Sequence, residues 1–385
     1  MVEIKEKYNC CGCSACVQIC PKKCIDFCED NHGFCYPIVN KKQCIECHLC
    51  EKVCPYLTQN APQKPIKVYA GINQNEKKRL NSSSGGIFIL LAEKVIEAGG
   101  VVFGARFDEN WQVRHDYTET REGLAAFQGS KYVQSLIGDS FIQVRNFLEL
   151  GRTVLFSGTS CQIAGLKRFL RKDFFELITI DIACHGVPSP LIWRTYLKEL
   201  PAKPANISFR DKRESWKNYK LTIIGTDNKN GSIPHIIKSE YFRENLYMQS
   251  FLKDLCLRPS CHNCPTKEGK SNSDIMLSDF WGVEKYHRTI DDDKGISAIL
   301  VYSEKGMELL KNVNAILIES TFENVVRCNP NIIISTKENK YEIMFWNEFY
   351  NKGLESCEHI LQMMKPGLCT RVMNKFKYYY NLIVR

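Results

Sequence analysis

The sequence predicts an α/β chain, α+β overall, made of a small cysteine-dense head and a much larger mixed α/β domain. Three observations carry this expectation. Twelve of the 20 cysteines crowd between Cys10 and Cys54. Beyond residue 66 the apolar residues alternate between helical and strand periods. Apolar residues make up 44% of the 385, enough to fill one large core or two beside a satellite unit.

The head, residues 1–57, comes first. Cys10, Cys13, Cys16 and Cys20 follow the spacing C-x2-C-x2-C-x3-C and close with Pro21. Cys44, Cys47, Cys50 and Cys54 repeat the run and close with Pro55. Two such runs are the signature of a bacterial-type dicluster ferredoxin domain. Three thiolates two residues apart wrap three corners of an iron–sulfur cube, and the fourth, turned away by the proline, reaches the other cube. The expected ligand sets for two 4Fe-4S clusters are Cys10, Cys13 and Cys16 with Cys54, and Cys44, Cys47 and Cys50 with Cys20. Structural zinc typically takes two separated pairs of ligands, which is not this pattern. Cys11, Cys24, Cys28 and Cys35 are surplus, and only Cys10 keeps the two-residue spacing to Cys13. Such a domain conducts single electrons and has no substrate pocket of its own.

The N-terminus carries Glu3, Lys5, Glu6 and Lys7 and no apolar secretion core, so the expected location is cytoplasmic. There, clustered cysteines more often bind metal than form disulfides. No uncharged apolar run reaches the ~18 residues of a membrane span, so no transmembrane segment is expected. The net charge of +9 does not choose among an acidic protein, nucleic acid and a membrane surface. The electron-conducting head asks for a redox partner protein, ferredoxin or another donor or acceptor, and no feature asks for nucleic acid. The tail from Lys375 to Arg385 interleaves bases and aromatics and reads as a terminal helix with a solvated basic face.

Thr58 to Ile66 (TQNAPQKPI) has two prolines and no apolar periodicity, the composition of a linker. Residues 67–385 form the second domain. Ser82 to Gly86 opens an apolar-periodic helix that ends at Gly99-Gly100. Segments 101–107 and 113–119 read as paired strands about an Asp-Glu-Asn turn. A helix near 138–150, a strand at 153–157, a helix from about Ser160 and a strand at 177–183 follow. This βαβ rhythm predicts that part of the domain is a mainly parallel sheet with helices on its faces. Segment 206–236 is more β-like, with an Asn-Lys-Asn-Gly turn, and the last forty residues read as helical.

Cys161 follows a strand and opens a helix, and Cys184 ends the next strand. Carboxyl ends of neighbouring parallel strands are where such sheets place ligands. Cys261 and Cys264 add a C-x2-C pair. Four thiolates are enough for one more cube, but the spacing alone leaves open a zinc site, or a nucleophilic cysteine helped by His185 beside Cys184. Cys256, Cys328, Cys357 and Cys369 read as ordinary buried thiols. Three turns offer hydroxyls and unhindered N–H groups of the kind that bind phosphate: Ser82, Ser83, Ser84, Gly85 and Gly86; Gly129, Ser130, Lys131 and Tyr132; and Ser157, Gly158 and Thr159. Each alone also reads as a plain cap or turn. Clusters move single electrons and organic reductions usually move a hydride, so a flavin is the natural coupler of the two.

At this point the residues resemble a known family, the β subunit of coenzyme F420 hydrogenase/dehydrogenase, which also includes 7-hydroxymethyl chlorophyll a reductase and ferredoxin-dependent flavoprotein reductases. The resemblance runs from about Val68 to about Asn312, together with the head. It rests on NSSSGGIFILLAEKVIEAGGVVFGARF, FQGSKYVQS, FSGTSCQIAGLKRFL, DIACHGVPSP, ISFRDKRESW, LRPSCHNC, SDIMLSDFWGV and DDDKGISAILV, in that order. It implies FAD held by the three turns above, and a third 4Fe-4S cluster held by Cys161, Cys184, Cys261 and Cys264. Ser160 stands where relatives often have proline. The implied activity is an FAD-dependent iron–sulfur oxidoreductase, with hydride passing to or from a deazaflavin coenzyme or another small organic acceptor; the sequence leaves open whether the chain is an oligomer. Lys131, His185 and Arg210 are the candidates to bind or protonate that substrate. Two rivals are an electron-relay subunit of a larger complex, and a cysteine-nucleophile transferase with a redox-sensing head.

Overall fold

The computed structural model describes residues 1–226 and 234–365. The Asn-Lys-Asn-Gly turn, Cys369 and the basic-aromatic tail lie outside the described residues. The strands in chain order are β1 (Ile25–Glu29), β2 (Cys35–Val39), β3 (Lys67–Asn73), β4 (Val101–Phe107), β5 (Val113–Thr118), β6 (Val154–Thr159) and β7 (Leu177–Ile182). They continue with β8 (Pro204–Asp211), β9 (Lys220–Thr226), β10 (Pro234–Tyr241), β11 (Ile275–Asp279), β12 (Ser297–Val301) and β13 (Ala315–Glu319). Among the described residues, no helix is long and apolar enough to cross a membrane.

The centre is an eight-stranded mixed sheet in the order β13-β3-β12-β11-β7-β6-β4-β5. Its middle, β11-β7-β6-β4, is parallel. The flanking pairs are antiparallel. The parallel part is covered on both faces, and β6 accordingly opens with four consecutive buried residues, Val154 to Ser157. Helices Ile87–Glu97 and Ser160–Leu170 flank it, each starting straight from a strand or turn whose residues carry the expected chemistry. The second helix is fixed at its start by a capping box in which Thr159 and Gln162 satisfy each other's backbone N–H groups. Strands β8, β9 and β10 form a separate antiparallel sheet, and the helix Glu342–Lys352 buries Phe345 and Trp346 in the core that this sheet shares.

The head is a β1-β2 hairpin with two short helices, Ala15–Ile19 and Leu49–Lys52. It shares a core with the large domain: Cys11, Cys13, Ala15 and Val53 pack with Phe103, Phe141, Phe156 and Leu166. Segment 58–66 has no helix or strand, yet it is tied down. Gln63 and Ile66 donate backbone bonds to Glu268 and Val301, and Asn60 bonds Lys270 and Arg168. Of the thiols expected to be ordinary and buried, Cys256 and Cys357 are fully buried. Cys328 is a correction: it is only partly covered, because its short helix, Phe322–Cys328, ends there at the edge of the domain.

Candidate functional site

The two cysteine loops of the head share an unusual backbone. Gly12 and Ser14 on either side of Cys13 have φ of 72° and 56°, and Glu46 and His48 on either side of Cys47 have 53° and 57°. Three of these four are not glycine, and a left-handed residue of that kind costs on the order of 1 kcal/mol. Alternating left- and right-handed residues turn successive N–H groups toward a concavity that receives anions. The loops therefore present both thiols and amides to one centre, as a cube with thiolate corners requires.

The cysteines meet crosswise. Burial raises the Cys16 thiol, followed by Cys10, Cys54 and Cys50; for Cys13 the hydrogen bond with Cys11 comes first and lowers it, and burial and then Cys16 and Cys54 raise it. Cys20, Cys44, Cys47 and Cys50 line one small cavity of roughly 20 Å³ together with Pro21. The surplus Cys24 lies there too, its Sγ 3.5 Å from that of Cys20. The Val2 and Glu46 amides donate to Cys50 Sγ and Cys44 Sγ at 3.2 and 3.4 Å. Among the described residues, no three His, Cys, Asp or Glu side chains converge closely enough for a single metal ion. The donor chemistry, three thiols two residues apart with a fourth from the other run, is that of a cube and not of the separated pairs that zinc takes.

The large domain holds a second, bigger cavity of roughly 330 Å³ at the carboxyl ends of β6, β7 and β11. Cys161, Cys184, Cys261 and Cys264 all line it. Burial pushes the Cys184 thiol up to about 12, and burial followed by the neighbouring thiols raises Cys261 well above its ordinary value. Cys161 is also raised, first by its hydrogen bond with Cys11 and then by burial. Hydrogen bonds reach three of the sulfurs: Thr159 Oγ1 lies 3.2 Å from Cys161 Sγ and Thr266 Oγ1 3.3 Å from Cys264 Sγ, and the Val187 N–H donates to Cys261 Sγ at 3.4 Å. Such bonds tune a cluster's potential.

The expected phosphate-type turns line the same cavity: Ser82, Ser83, Ser84 and Gly86; Gly129, Ser130, Lys131 and Tyr132; Ser157, Gly158 and Thr159. Gly85 is not in the wall. It is the packing glycine of the turn, since a Cβ there would lie 2.2 Å from the Gly71 carbonyl oxygen. The first two turns are laced together, with Ser83 Oγ accepting from the Ser130 N–H at 2.6 Å and from its hydroxyl at 2.8 Å. Lys131 Nζ donates back to the Gln128 and Gly129 carbonyls, and desolvation lowers its pKa to about 7.

His185 and Arg210 also face the cavity. Both ring nitrogens of His185 are engaged, one by Asp254 at 2.5 Å and one by Asn331 at 2.9 Å. Arg210 is different. Its Nη1 pairs with Asp279, whose attraction more than offsets the cost of burial. Its guanidinium rests on Tyr219 and Trp281 at 4.5 and 5.2 Å. Nε and Nη2 are buried without a partner, as is Asp279 Oδ1. Two unsatisfied donors on a buried cation are a ready receptor for an anionic group, which fits a flavin phosphate or a substrate carboxylate.

Sequence reasoning missed His115, Gln162 and Asp279 in this wall. His115 alternates with Val113 on the buried face of β5, a period-two signal present in VRHDY. Its Nε2 donates to the Ser157 carbonyl at 3.0 Å, and burial holds its pKa near 4, so it stays neutral. Gln162 was readable from the Thr-x-x-Gln capping pattern.

Part of this cavity's wall lies in a region similar to known proteins. Residues 151–322 match the family model for the C-terminal part of the beta subunit of coenzyme F420 hydrogenase/dehydrogenase. This part of the chain is similar to that family. The matched span contains β6 to β13 and all four cavity cysteines. Among solved structures, a chain of the F420-reducing NiFe hydrogenase complex from Methanosarcina barkeri aligns at 14% identity and a TM-score of 0.45, covering 76% of this chain and 96% of that one. No curated protein matches the chain. The family is one of redox enzymes, and the cysteine-rich head is consistent with iron–sulfur clusters.

Proposed function

We propose that the chain is an iron–sulfur flavoprotein oxidoreductase, with two 4Fe-4S clusters in the head, a third held by Cys161, Cys184, Cys261 and Cys264, and FAD in the large cavity. One observation carries this reading: the four cysteines and all three phosphate-type turns line a single cavity, and the first cysteine loop of the head packs against the helix that begins at Ser160-Cys161. A Cβ on Gly165 of that helix would lie 2.9 Å from Cys13 Sγ. When bound, the cubes supply single electrons and the flavin exchanges them for a hydride.

The chain's own residues supply the rest. Tyr56, two residues past Cys54, donates to the carbonyls of Ser260 and Asn263 and so fixes the head against the loop of Cys261 and Cys264. Thr159, Val187 and Thr266 hold hydrogen bonds on the cavity sulfurs. The three turns bind the cofactor's phosphates, and Arg210 holds an anionic group. Lys131, lowered toward 7, is suited to exchange a proton near neutrality. The organic partner is a small hydride acceptor or donor, either a deazaflavin coenzyme or another.

The site of Cys20, Cys44, Cys47 and Cys50 is where electrons enter or leave. Cys47 is exposed, as are Ile45, Lys22, Lys23, Lys41 and Lys42 around it. None of these four lysines forms an ion pair among the described residues, and the hydrogen bond from Asn40 to Cys24 brings the two lysine pairs to one end of the hairpin. That patch suits an acidic one-electron carrier such as a ferredoxin.

The test is an anaerobic preparation assayed for iron, acid-labile sulfide and released flavin. The expected result is about twelve iron atoms and one FAD per chain. Colourless protein with free or zinc-loaded thiols would overturn the reading.

A further inference from the structure

We infer that Arg258 is a fixed positive charge that raises the reduction potentials of the two inner cysteine sites and leaves the outer one alone. This rests on the iron–sulfur reading above. Arg258 is 1% exposed. Its Nε donates to the Cys10 carbonyl at 2.7 Å, Nη1 to Gln134 at 3.1 Å, and Nη2 to the Cys35 carbonyl at 2.9 Å and to Cys10 Sγ at 3.6 Å. The guanidinium lies over the Tyr36 and Phe34 rings at 4.3 and 5.4 Å. Every one of these partners is a neutral group or a thiol; no carboxylate pairs with Arg258 among the described residues. A buried cation left without a counter-charge costs several kcal/mol. The anions within its reach are thiolates, in the order Cys10, then Cys11 and Cys261 after Tyr36.

The residue joins two sites physically. Its side chain bonds both the carbonyl and the sulfur of Cys10, in the loop facing the body. Its own carbonyl accepts from the Cys261 N–H at 2.8 Å, and its N–H donates to Val187 at 2.9 Å, the residue whose N–H in turn reaches Cys261 Sγ. The side chain is also closely fitted, since a Cβ on Gly12 would stand 3.0 Å from the guanidinium carbon. The charge cannot swing away to water.

A thiolate cage gains one negative charge for each electron it accepts. A fixed cation beside it favours that acceptance, by attraction and by the bond to sulfur. Transfer between the two inner sites moves one electron, so one site is oxidised as the other is reduced and no proton is needed. Because the same cation lies beside both, it raises both potentials in step and leaves the difference between them small. The hydrogen bonds of the Arg258 side chain go to Cys10, Gln134 and Cys35 and to none of Cys20, Cys44, Cys47 and Cys50, so the outer site is the internal reference.

The experiment is a redox titration followed by electron paramagnetic resonance on anaerobic wild-type, Arg258→Gln and Arg258→Lys protein, with iron content measured in each. In Arg258→Gln the inner sites should become about tenfold harder to reduce, about 59 mV for one electron, with the outer site unmoved. Arg258→Lys, which keeps the charge and loses the sulfur bond, should shift the same two sites by less. If Arg258→Gln retains its iron and both inner potentials stay at the wild-type values, the inference fails. If Arg258→Gln does not fold, Arg258→Lys decides: no shift at Cys10's site, or an equal shift at the outer site, overturns it. Wild-type protein without iron would instead overturn the cluster reading itself.

Discussion

Around Cys13 the left-handed residues Gly12 and Ser14 turn the chain in the way that Glu46 and His48 turn it around Cys47. Yet Cys13 is buried beneath Gly165, while Cys47 stands in solvent. The first loop is wedged by Arg258, Gln134 and the helix Ser160–Leu170. The second is edged by exposed lysines that form no ion pair among the described residues, and by the exposed Ile45. The spacing of cysteines decides the shape of each cage, and the neighbours decide what each cage is for. On the proposed reading, a loop that packs against the helix Ser160–Leu170 is placed to exchange charge with the large domain. A loop that faces solvent can meet another protein.

The largest effect should come from removing one ligand on each side. Cys13→Ser should lose cluster iron and also lower the denaturation midpoint, because it disturbs the core shared with Phe141, Phe156 and Leu166. Cys47→Ser should lose roughly four of twelve irons with little change in thermal stability. Equal destabilisation in the two variants would erase the distinction between the loops. Brief air exposure of wild-type protein should likewise bleach the outer site first, followed by visible absorbance.

The next effect lies on the sealed side and depends on pH. His115 has an ordinary pKa near 6.5 when unfolded and about 4 when folded. Below pH 6.5 the unfolded chain takes a proton that the native chain refuses, so stability is lost as pH falls and the loss is complete near pH 4. The full term is about 3 kcal/mol. Asp181, whose carboxyl burial pushes up to about 6, acts oppositely in the same window. The difference between His115→Gln and wild type isolates the histidine: urea denaturation should show the variant gaining on wild type by about 3 kcal/mol between pH 7.5 and pH 4.5.

Gly165→Ala is smaller. In a helix this change ordinarily stabilises by up to about 1 kcal/mol. Here the added methyl meets Cys13 Cβ and Sγ at 2.9 Å, and overpacking costs about 1–3 kcal/mol. Net destabilisation in chemical denaturation is expected, and a gain would mean that the head does not seat on that helix. The smallest effect belongs to the open side. Lys41→Glu with Lys42→Glu should raise the KM for an acidic one-electron carrier severalfold at low salt, an effect that fades at high salt. Reduction by dithionite, which needs no docking, should be unchanged.

Much of this was legible because it is local. The two C-x2-C-x2-C-x3-C-P runs are visible as spacing alone, and the turns at Ser82 and Ser157, which lie just before helices, and at Gly129 line the cavity. What escaped was long-range. Nothing in LRPSCHNC announces that its arginine reaches Cys10 across 248 residues of sequence. Segment 58–66 has a linker's composition, but its partners, Glu268 and Val301, come more than 200 residues later. Strand β3 has no local partner to announce it, because its partners are β12 and β13. Lys131 and His185 stand out by residue type, and only the structure shows that both are already engaged by groups of the protein.

The position of β3 has a consequence for how the chain is made. It leaves the ribosome soon after the head, but the strands that flank it, β12 and β13, close only when residue 319 has been synthesised. Until Ser297–Val301 is made β3 exposes two bare edges, and until residue 319 it exposes one. Polypeptides cut short of Ser297 should therefore aggregate rather than yield a working ferredoxin module, and the cell has reason to delay metal loading until translation ends.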